Sequence, residues 1–348
     1  MNPDPEKASL PTIKFSQEYQ NFPASVTPQA ARFLKAGLEG APNTVRAYKA
    51  DLDCYTSWCD RRGLPPFPGM PEQIANYISD LAEHYKVATV QRRLAMLSSF
   101  HQLQGLESPT STKLVQTTME GIKRSLGIRQ HQAPALKLEQ FRKGILSLDE
   151  HNNLQLRNKV VLLIGLSGAF RRGELASLNV SDLTLDEEGI LIKVQRSKTD
   201  QLGSGQIKAI FYASHPQLCP VRTTLRYLNR RGLSLPHTGN DLNIEDGRTS
   251  QDIPFSPSVP FLVRMRKGDH FGKERLTDQS VRLIVNQQFG SRFSAHSLRA
   301  SFVTIAKKNG ASNSEIMAQT FHKTEAMIRR YTRFEDAREH NAGTKLGL

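Results

Sequence analysis

The chain is short of cysteine and of long apolar runs, and each shortage excludes a class of protein. Its 348 residues include three cysteines, too few for a disulfide framework or a four-cysteine zinc site. The longest apolar run, at 160–170, is well below the roughly 20 residues that a membrane-spanning helix needs. The first residues carry prolines and acidic side chains with no apolar stretch behind them, unlike a secretory signal. We therefore expect a cytoplasmic protein with no membrane association.

Acidic residues are also scarce, since 33 Asp and Glu stand against 47 Lys and Arg. The resulting formal charge of +14 predicts a polyanionic partner. Hydrophobic residues make up 38% of the chain, which is enough for folded cores and excludes global disorder. At roughly 100–200 residues per domain, the length predicts two domains.

The first part of the chain is expected to form a flexible arm followed by a helical domain. Several prolines and little periodicity mark residues 1–26 as the arm. Between 27 and 128, apolar residues recur at spacings of three and four in four successive segments, which is typical of amphipathic helices. We therefore predict an all-α helical-bundle domain at 27–128. The stretch 129–136 breaks this periodicity and contains Pro134, which indicates an interdomain linker.

The remainder is expected to form a mainly helical α+β domain at 137–340, with a short tail at 341–348. Two β-rich runs, 190–194 and 207–211, flank a glycine-containing loop and predict a small antiparallel hairpin. Residues 234–260, rich in Pro, Ser, Gly and Asp, are interpreted as a surface insertion. Periodicity predicts six helices in this domain, at about 157–178, 216–231, 278–290, 295–309, 313–320 and 324–333.

Two motifs place an arginine three residues from a partner on one helical face. Arg171 and Glu174 form the first, in which the carboxylate can orient the guanidinium for bidentate phosphate contact. His296 and Arg299 form the second, just after the good N-cap Ser294, where a helix N-terminus suits an anion. Either motif alone also fits an ordinary exposed helix face, so neither is specific by itself.

A third segment contains His322 and, nine residues later, Tyr331. A tyrosine at such a position is usually part of a core, so this segment too is weak in isolation. Arg92 and Arg93, which lie off the apolar stripe of their predicted helix, are candidate contacts for the polyanion. Arg172, beside the first motif, is a further candidate.

Taken together, the order of these residues is far more specific than any one motif. The combination resembles the tyrosine recombinase family, which includes the phage integrases, Cre and the Xer recombinases, over about residues 27–340. The residues that carry the resemblance are Arg171, Glu174, Lys198 in the hairpin loop, His296, Arg299, His322 and Tyr331.

The resemblance implies a role for each of these side chains. Tyr331 is expected to be the nucleophile, and Arg171 and Arg299 to hold the non-bridging oxygens of the scissile phosphate. Lys198 is expected to protonate the leaving 5′-oxygen, and it suits this role better than Lys193 or Lys208, which lie within the predicted strands. His296 matches the position that accepts a proton or donates a hydrogen bond to the phosphate. His322 matches the position where the family has His or Trp, and Glu174 matches the family's supporting acid.

The resemblance also implies what the protein acts on and assembles with. A family member cleaves and rejoins duplex DNA at a specific recombination site through a 3′-phosphotyrosine and a Holliday junction, as a homotetramer on two DNA sites. Its helical core-binding domain and catalytic domain enclose the duplex. No metal, ATP or other cofactor is expected, and the sequence contains neither a P-loop motif nor a carboxylate cluster for paired metals.

Two residues depart from the family pattern, and two alternative functions stay open. Ala169 and Phe321 stand where the family often has glycine, which puts the local backbone geometry in question. A type IB-like topoisomerase or hairpin resolvase would use similar residues, and junction formation between two duplexes would separate them from a recombinase. A non-catalytic DNA-binding architectural protein would have no need for the full set of polar residues, and it would not become attached to DNA through Tyr331.

Overall fold

The protein divides into two compact units, Met1–His131 and Gln132–Leu348. The structure is a computed structural model that describes residues 42–103, 105–128, 133–194, 206–237, 259–328 and 331. The predicted arm, the hairpin loop that contains Lys198 and the C-terminal tail lie outside these residues, as do most of the predicted insertion and part of the linker.

The first unit contains the four helices that the periodicity predicted. Their apolar stripes meet in one core, in which the rings of Tyr55, Trp58 and Tyr77 pack together with Tyr55 and Tyr77 edge-on at 5.0 Å between centroids. These aromatic rings supply much of the apolar area that stabilises a small helical unit. The helices are α1 (Pro42–Asp60), α2 (Pro71–His84), α3 (Val87–Leu103) and α4 (Lys113–Leu126).

The second unit is mainly helical with two small antiparallel sheets, which confirms the predicted fold class. Its helices are α5 (Leu138–Leu146), α6 (Asn153–Ser167), α7 (Arg172–Ser177), α8 (Pro220–Arg230), α9 (Asp278–Phe289), α10 (Ala295–Lys308) and α11 (Asn313–Thr320). Its strands are β1 (Leu183–Leu185), β2 (Gly189–Val194), β3 (Gln206–Phe211), β4 (Val263–Arg266) and β5 (His270–Arg275).

Helix α6 forms the centre of the second core and is buried on nearly all sides. Asn152 caps its first turn by accepting a hydrogen bond from the backbone N–H of Gln155 at 2.9 Å. Its second half, residues 160–165, is apolar on every side and must therefore be covered on every side. Helices α7, α8, α9 and α10 all pack against α6.

No helix in the described part of the chain is both long enough and apolar enough to cross a membrane.

The predicted hairpin is present as the β2–β3 pair of a three-stranded sheet. The strands pair antiparallel from Gly189 opposite Phe211 to Val194 opposite Gln206, and β1 adds to the other edge of β2. Because side chains alternate across a strand, Ile207 and Phe211 of β3 face solvent while Lys208 faces the interior. The interior position of a lysine was not predicted.

The prediction of one helix at 157–178 was wrong, because the chain turns between Ser167 and Arg172. Helix α6 ends at Ser167, and Ala169 then adopts a left-handed backbone with φ of +46°. Periodicity of apolar residues does not reveal a turn whose left-handed residue is not glycine. The helix predicted at 216–231 begins later, at Pro220, after a 3₁₀ turn over Pro216–Leu218.

Several short elements were not predicted at all. Helix α5 and strands β1, β4 and β5 are nine residues long or shorter. Strand β5 carries the charged sequence HFGKER, which lacks the apolar alternation typical of a half-buried strand. Its position depends on long-range pairing with β4 instead.

Candidate active site

The turn between α6 and α7 presents Arg171 at the entrance to α7. The Glu174 carboxylate accepts a hydrogen bond from the Arg171 backbone N–H at 3.0 Å and another from its Nη1 at 2.5 Å. Glu174 is buried, whereas the Arg171 side chain is 22% exposed. The carboxylate therefore caps the helix and fixes the direction of the guanidinium, part of which stays accessible.

Arg299, one turn into α10, is almost completely buried. Its Nη1 donates to the carbonyl oxygen of Ala169 at 2.7 Å, and its Nη2 donates to the carbonyl oxygen of Thr320. These two carbonyls belong to the turn before α7 and to the end of α11. Arg299 therefore joins the segments that carry Arg171 and His322 to its own helix.

The two departures from the family's glycines both have left-handed backbones. Ala169 has φ of +46° and Phe321 has φ of +55°. A left-handed conformation costs an L-residue roughly 1–2 kcal/mol, so the surrounding structure must hold both residues in place. At both positions the backbone is left-handed, a geometry that glycine adopts freely.

His322 follows Phe321 directly and is buried. Its Nδ1 lies 3.0 Å from the hydroxyl oxygen of Thr320, which itself donates to the carbonyl oxygen of Ile316 at 2.6 Å. The imidazole stacks on the Tyr331 ring, with centroids 5.9 Å apart and planes inclined by 19°. One ring nitrogen is thus engaged within the protein while the ring face contacts the tyrosine.

The Tyr331 hydroxyl lies 3.0 Å from Nε2 of His296, the second residue of α10. Further along the same helix, the Thr304 hydroxyl donates to the Tyr331 backbone oxygen at 3.4 Å. Helix α10 therefore positions both His296 and Arg299 and also contacts the backbone of the tyrosine. A phenol within hydrogen-bond reach of an imidazole is the arrangement that nucleophile activation requires.

Burial and two neighbouring positive charges keep both imidazoles neutral. Burial, with the charges of Arg299 and Arg171, holds the pKa of His296 below its ordinary value. The same causes lower the pKa of His322 to about 3. Burial, reinforced by the Arg171 charge, lowers the pKa of Arg299 to about 10, so this guanidinium stays charged at neutral pH. His296 is therefore available as a proton acceptor.

Lys208, a less favoured candidate than Lys198 for the proton donor, also lies in this region. It lies in β3, is fully buried, and donates a hydrogen bond from Nζ to the carbonyl oxygen of Gln319. Burial is the main cause that lowers its pKa to about 7, and the neighbouring charges are those of Glu174, Arg299 and Arg171. The alternation of β3 was a usable signal, because Lys208 shares a face with the apolar Ile210.

The structure separates the three candidate contacts for the polyanion. Arg93 is buried, with Nε 3.4 Å from Asp51 and its guanidinium 4.2 Å from the Tyr85 ring centroid. Arg92 also pairs with Asp51, but its side chain is 42% exposed. A contact with DNA thus stays a prediction for Arg92, whereas the guanidinium of Arg93 is engaged inside the helical unit.

Arg172 forms an exposed ion pair with Asp278, with 3.1 Å between Nε and the carboxylate. Lys198 lies outside the described residues, so its predicted role is untouched by the geometry. Five of the predicted site residues and their supporting acid are brought together by α7, α10 and the end of α11. They are Arg171, Glu174, His296, Arg299, His322 and Tyr331.

This cluster combines a phenol, a neutral imidazole beside it, and two guanidiniums. Arginine is well suited to phosphate oxygens because its planar fork donates two parallel hydrogen bonds. In the described part of the chain, no group of three or more His, Cys, Asp and Glu side chains is placed to hold a metal ion. The arrangement fits attack of a tyrosine on a phosphodiester, with the partly accessible Arg171 as a donor to a non-bridging oxygen and the buried Arg299 behind it.

Comparison with known proteins identifies the family. The chain is 32% identical over 300 residues to an integrase/recombinase XerD homolog of Selenomonas ruminantium, a match that covers 84% of this chain and 81% of the relative. It is 24% identical to a tyrosine recombinase XerC of Halalkalibacterium halodurans, across 86% of this chain and 89% of that protein. The chain belongs to the tyrosine recombinase family and is a tyrosine-type site-specific DNA recombinase.

Solved structures agree on the fold. The XerH site-specific recombinase bound to a palindromic difH substrate matches with a TM-score of 0.60 and 16% identity, over 91% of this chain and 82% of that one. A lambda integrase tetramer bound to a Holliday junction matches with a TM-score of 0.53 and 15% identity, over 84% and 72% of the two chains. No family model matches the chain.

The burial of Arg93 leads to a prediction about the stability of the helical unit. Arg93→Met should lower the free energy of unfolding by about 2–3 kcal/mol, because it removes the buried guanidinium that pairs with the Asp51 carboxylate. Arg92→Met removes a more exposed partner of the same carboxylate. It should lower the free energy of unfolding by about 1 kcal/mol or less. Urea unfolding of the two variants measures the difference, and equal losses would show that Arg93 has no special structural role.

Proposed function

We propose that the chain cleaves duplex DNA by attack of the Tyr331 hydroxyl on a phosphodiester and rejoins it after strand exchange. The observation that supports this most is the 3.0 Å separation between Tyr331 Oη and His296 Nε2, beside the two arginines. Attack forms a bond between Tyr331 Oη and phosphorus and breaks the bond between phosphorus and the 5′-oxygen. The product is a 3′-phosphotyrosine and a free 5′-hydroxyl end.

His296 is the acceptor for the phenolic proton in this scheme. A phenol has an unperturbed pKa of about 10, so at neutral pH it reacts poorly without a base within hydrogen-bond reach. The lowered pKa of His296 keeps its imidazole neutral and able to accept the proton. In the reverse reaction the imidazolium returns the proton to Tyr331 when the 5′-hydroxyl attacks the phosphotyrosine.

Arg171 and Arg299 stabilise the charge that accumulates on the non-bridging oxygens during attack. Their positions are set before DNA binds, since Glu174 orients one guanidinium and two carbonyl oxygens orient the other. Fixed donors of this kind need no reorganisation when charge develops, which is why they lower a barrier effectively. The phosphotyrosine bond conserves the energy of the broken linkage, so rejoining needs no ATP.

Lys198 completes the scheme as the donor of a proton to the departing 5′-oxygen. Its support is its place in the sequence, in the connection between β2 and β3. The buried Lys208 on the same hairpin is fully enclosed, which suits an internal role better than contact with a leaving group.

The assembly that we propose is four copies of the chain on two DNA sites, with a four-way junction as intermediate. Its support is the similarity in fold to a lambda integrase tetramer that was solved on a Holliday junction. The excess of basic residues suits a polyanionic duplex as partner. A topoisomerase would cleave and reseal a single duplex, so joining of strands from two labelled duplexes distinguishes the two activities.

Removal of one hydroxyl tests the nucleophile. Tyr331→Phe should abolish covalent attachment to a pool of nicked duplexes, while the dissociation constant for DNA changes less than about threefold, because the ring and its packing remain. Denaturing gel electrophoresis after labelling of the DNA measures attachment. Tyr212→Phe, at an exposed tyrosine whose ring lies against Arg222, is the matched control and should retain full covalent yield, with or without EDTA.

An undiminished covalent yield from Tyr331→Phe would refute the assignment of the nucleophile. Loss of the wild-type product in EDTA, with recovery on addition of Mg²⁺, would instead favour metal-dependent cleavage.

The leaving-group role of Lys198 has its own chemical test. Lys198→Ala should slow cleavage by about 10²–10⁴-fold, as loss of a general acid does, and a substrate with sulfur at the 5′-bridging position should largely remove this defect because a thiolate leaves without a proton. Arg171→Ala should gain no such rescue, since its contact is with non-bridging oxygens. Single-turnover cleavage rates measure both, and a Lys198→Ala enzyme equally impaired on the sulfur substrate would contradict the role.

A further inference from the structure

Lys208 lies between two aromatic rings that each precede a residue of the site. Its Nζ is 4.2 Å from the ring centroid of Phe321, which precedes His322. It is also 5.1 Å from the ring centroid of Phe170, which precedes Arg171. An ammonium over a ring face is attracted to the ring's electron density, more strongly when water is excluded. One buried charge thus contacts both backbone segments that carry site residues.

The hydrogen bonds around Lys208 connect the same segments. Nζ donates to the carbonyl oxygen of Gln319, near the end of α11. The Gln319 side-chain amide donates to the carbonyl oxygen of Ser167 at 2.9 Å and to that of Ala209 at 3.0 Å. Strand β3, the end of α6 and the end of α11 are therefore held together by Lys208 and Gln319.

The backbone at these two segments is under strain that something must offset. Phe321 has the left-handed conformation that disfavours a side chain, and Ala169 has it immediately before Phe170. Arg299 binds the carbonyl oxygens of Ala169 and Thr320, one on each segment. The carbonyls alone do not determine where the Phe321 ring lies, whereas the Lys208 ammonium contacts that ring directly.

We propose that Lys208 is a positioning residue that holds Phe321 in its left-handed conformation and thereby sets the place of His322 in the site. The proposal rests on the proposed function, since it assigns His322 a part in DNA cleavage. It assigns Lys208 no contact with DNA, because the side chain is fully buried between the two rings. In this chain a lysine and a phenylalanine thus replace what a glycine before His322 would provide without assistance.

The buried environment of Lys208 agrees with this role. Burial lowers its pKa to about 7, and the carboxylate of Glu174 opposes that effect while the Arg299 and Arg171 charges add to it. The ammonium form of Lys208 therefore predominates below about pH 7. In that form, contacts with the Phe170 and Phe321 rings take the place of hydrating water.

A double-mutant cycle tests the proposal. Lys208→Met keeps the length of the side chain but removes its charge, and it should lower the single-turnover cleavage rate at saturating DNA about tenfold. The dissociation constant for DNA should change by less than about threefold, since Lys208 makes no surface contact. In a Phe321→Gly background the same change should cost about threefold or less, because glycine adopts the left-handed backbone freely.

Lys193→Met is the matched control, because Lys193 lies exposed on the paired strand β2. It should leave the cleavage rate at saturating DNA unchanged. An equal effect of Lys208→Met with and without Phe321→Gly would overturn the positioning role. So would full rescue of Lys208→Met by the 5′-bridging sulfur substrate, which would make Lys208 the proton donor instead.

The same cycle can be read without DNA. Urea unfolding of the free protein should show that the effects of Lys208→Met and Phe321→Gly are not additive. Should Lys208→Met fail to fold, Phe321→Leu removes the ring from the same contact and should also slow cleavage about tenfold. If the two effects on the free energy of unfolding are coupled but the wild-type protein forms no covalent product, the proposed function alone is refuted. If the two effects are additive, the contact between Lys208 and Phe321 is refuted.

Discussion

The site depends on one buried guanidinium. Arg299 is almost inaccessible to solvent, and burial disfavours its positive charge. Its hydrogen bonds to the carbonyl oxygens of Ala169 and Thr320 offset part of this desolvation cost. These bonds connect the turn before α7, the start of α10 and the end of α11. Every described site residue follows or belongs to one of these three segments. The same group that binds a phosphate in the proposed reaction therefore also holds the site together.

Left-handed turns at two non-glycine residues are a second consequence of this arrangement. Ala169 and Phe321 place Arg171 and His322 at the points where their segments change direction. Strain of this kind persists where the surroundings over-determine the conformation. Here Arg299 holds the carbonyl that precedes or belongs to each turn, and Lys208 contacts the aromatic ring beside each. An internal network of hydrogen bonds and ring contacts thus surrounds both left-handed residues.

The sequence predicted the parts of the molecule that depend on local pattern. The four helices of the first unit were predicted because apolar residues at spacings of three and four form a continuous stripe on each. The β2–β3 hairpin was predicted because two β-rich runs flank a glycine-containing loop. The site residues were found by their order along the chain, which matches a family pattern, and the structure brings six of them together.

What could not be predicted depends on long-range contacts. The break at Ala169 is stabilised by Arg299, 130 residues later in the chain, so no local window contains its cause. Strands β4 and β5 are short and charged, and only their pairing defines them. Arg93 has the sequence position of a surface residue, but Asp51 and Tyr85 draw it inside. The strand that contains Lys208 was predicted, but the residues that pack against that strand were not. The burial of Lys208 could therefore not be foreseen.

The central claim is that Tyr331 becomes joined to DNA. Mass spectrometry of the protease-digested covalent complex, formed with a pool of nicked duplexes, tests it most directly. We expect a nucleotide remnant attached through a 3′-phosphate to the hydroxyl of Tyr331 and to no other side chain. Attachment to a different residue, or through a 5′-phosphate, would refute the proposed reaction.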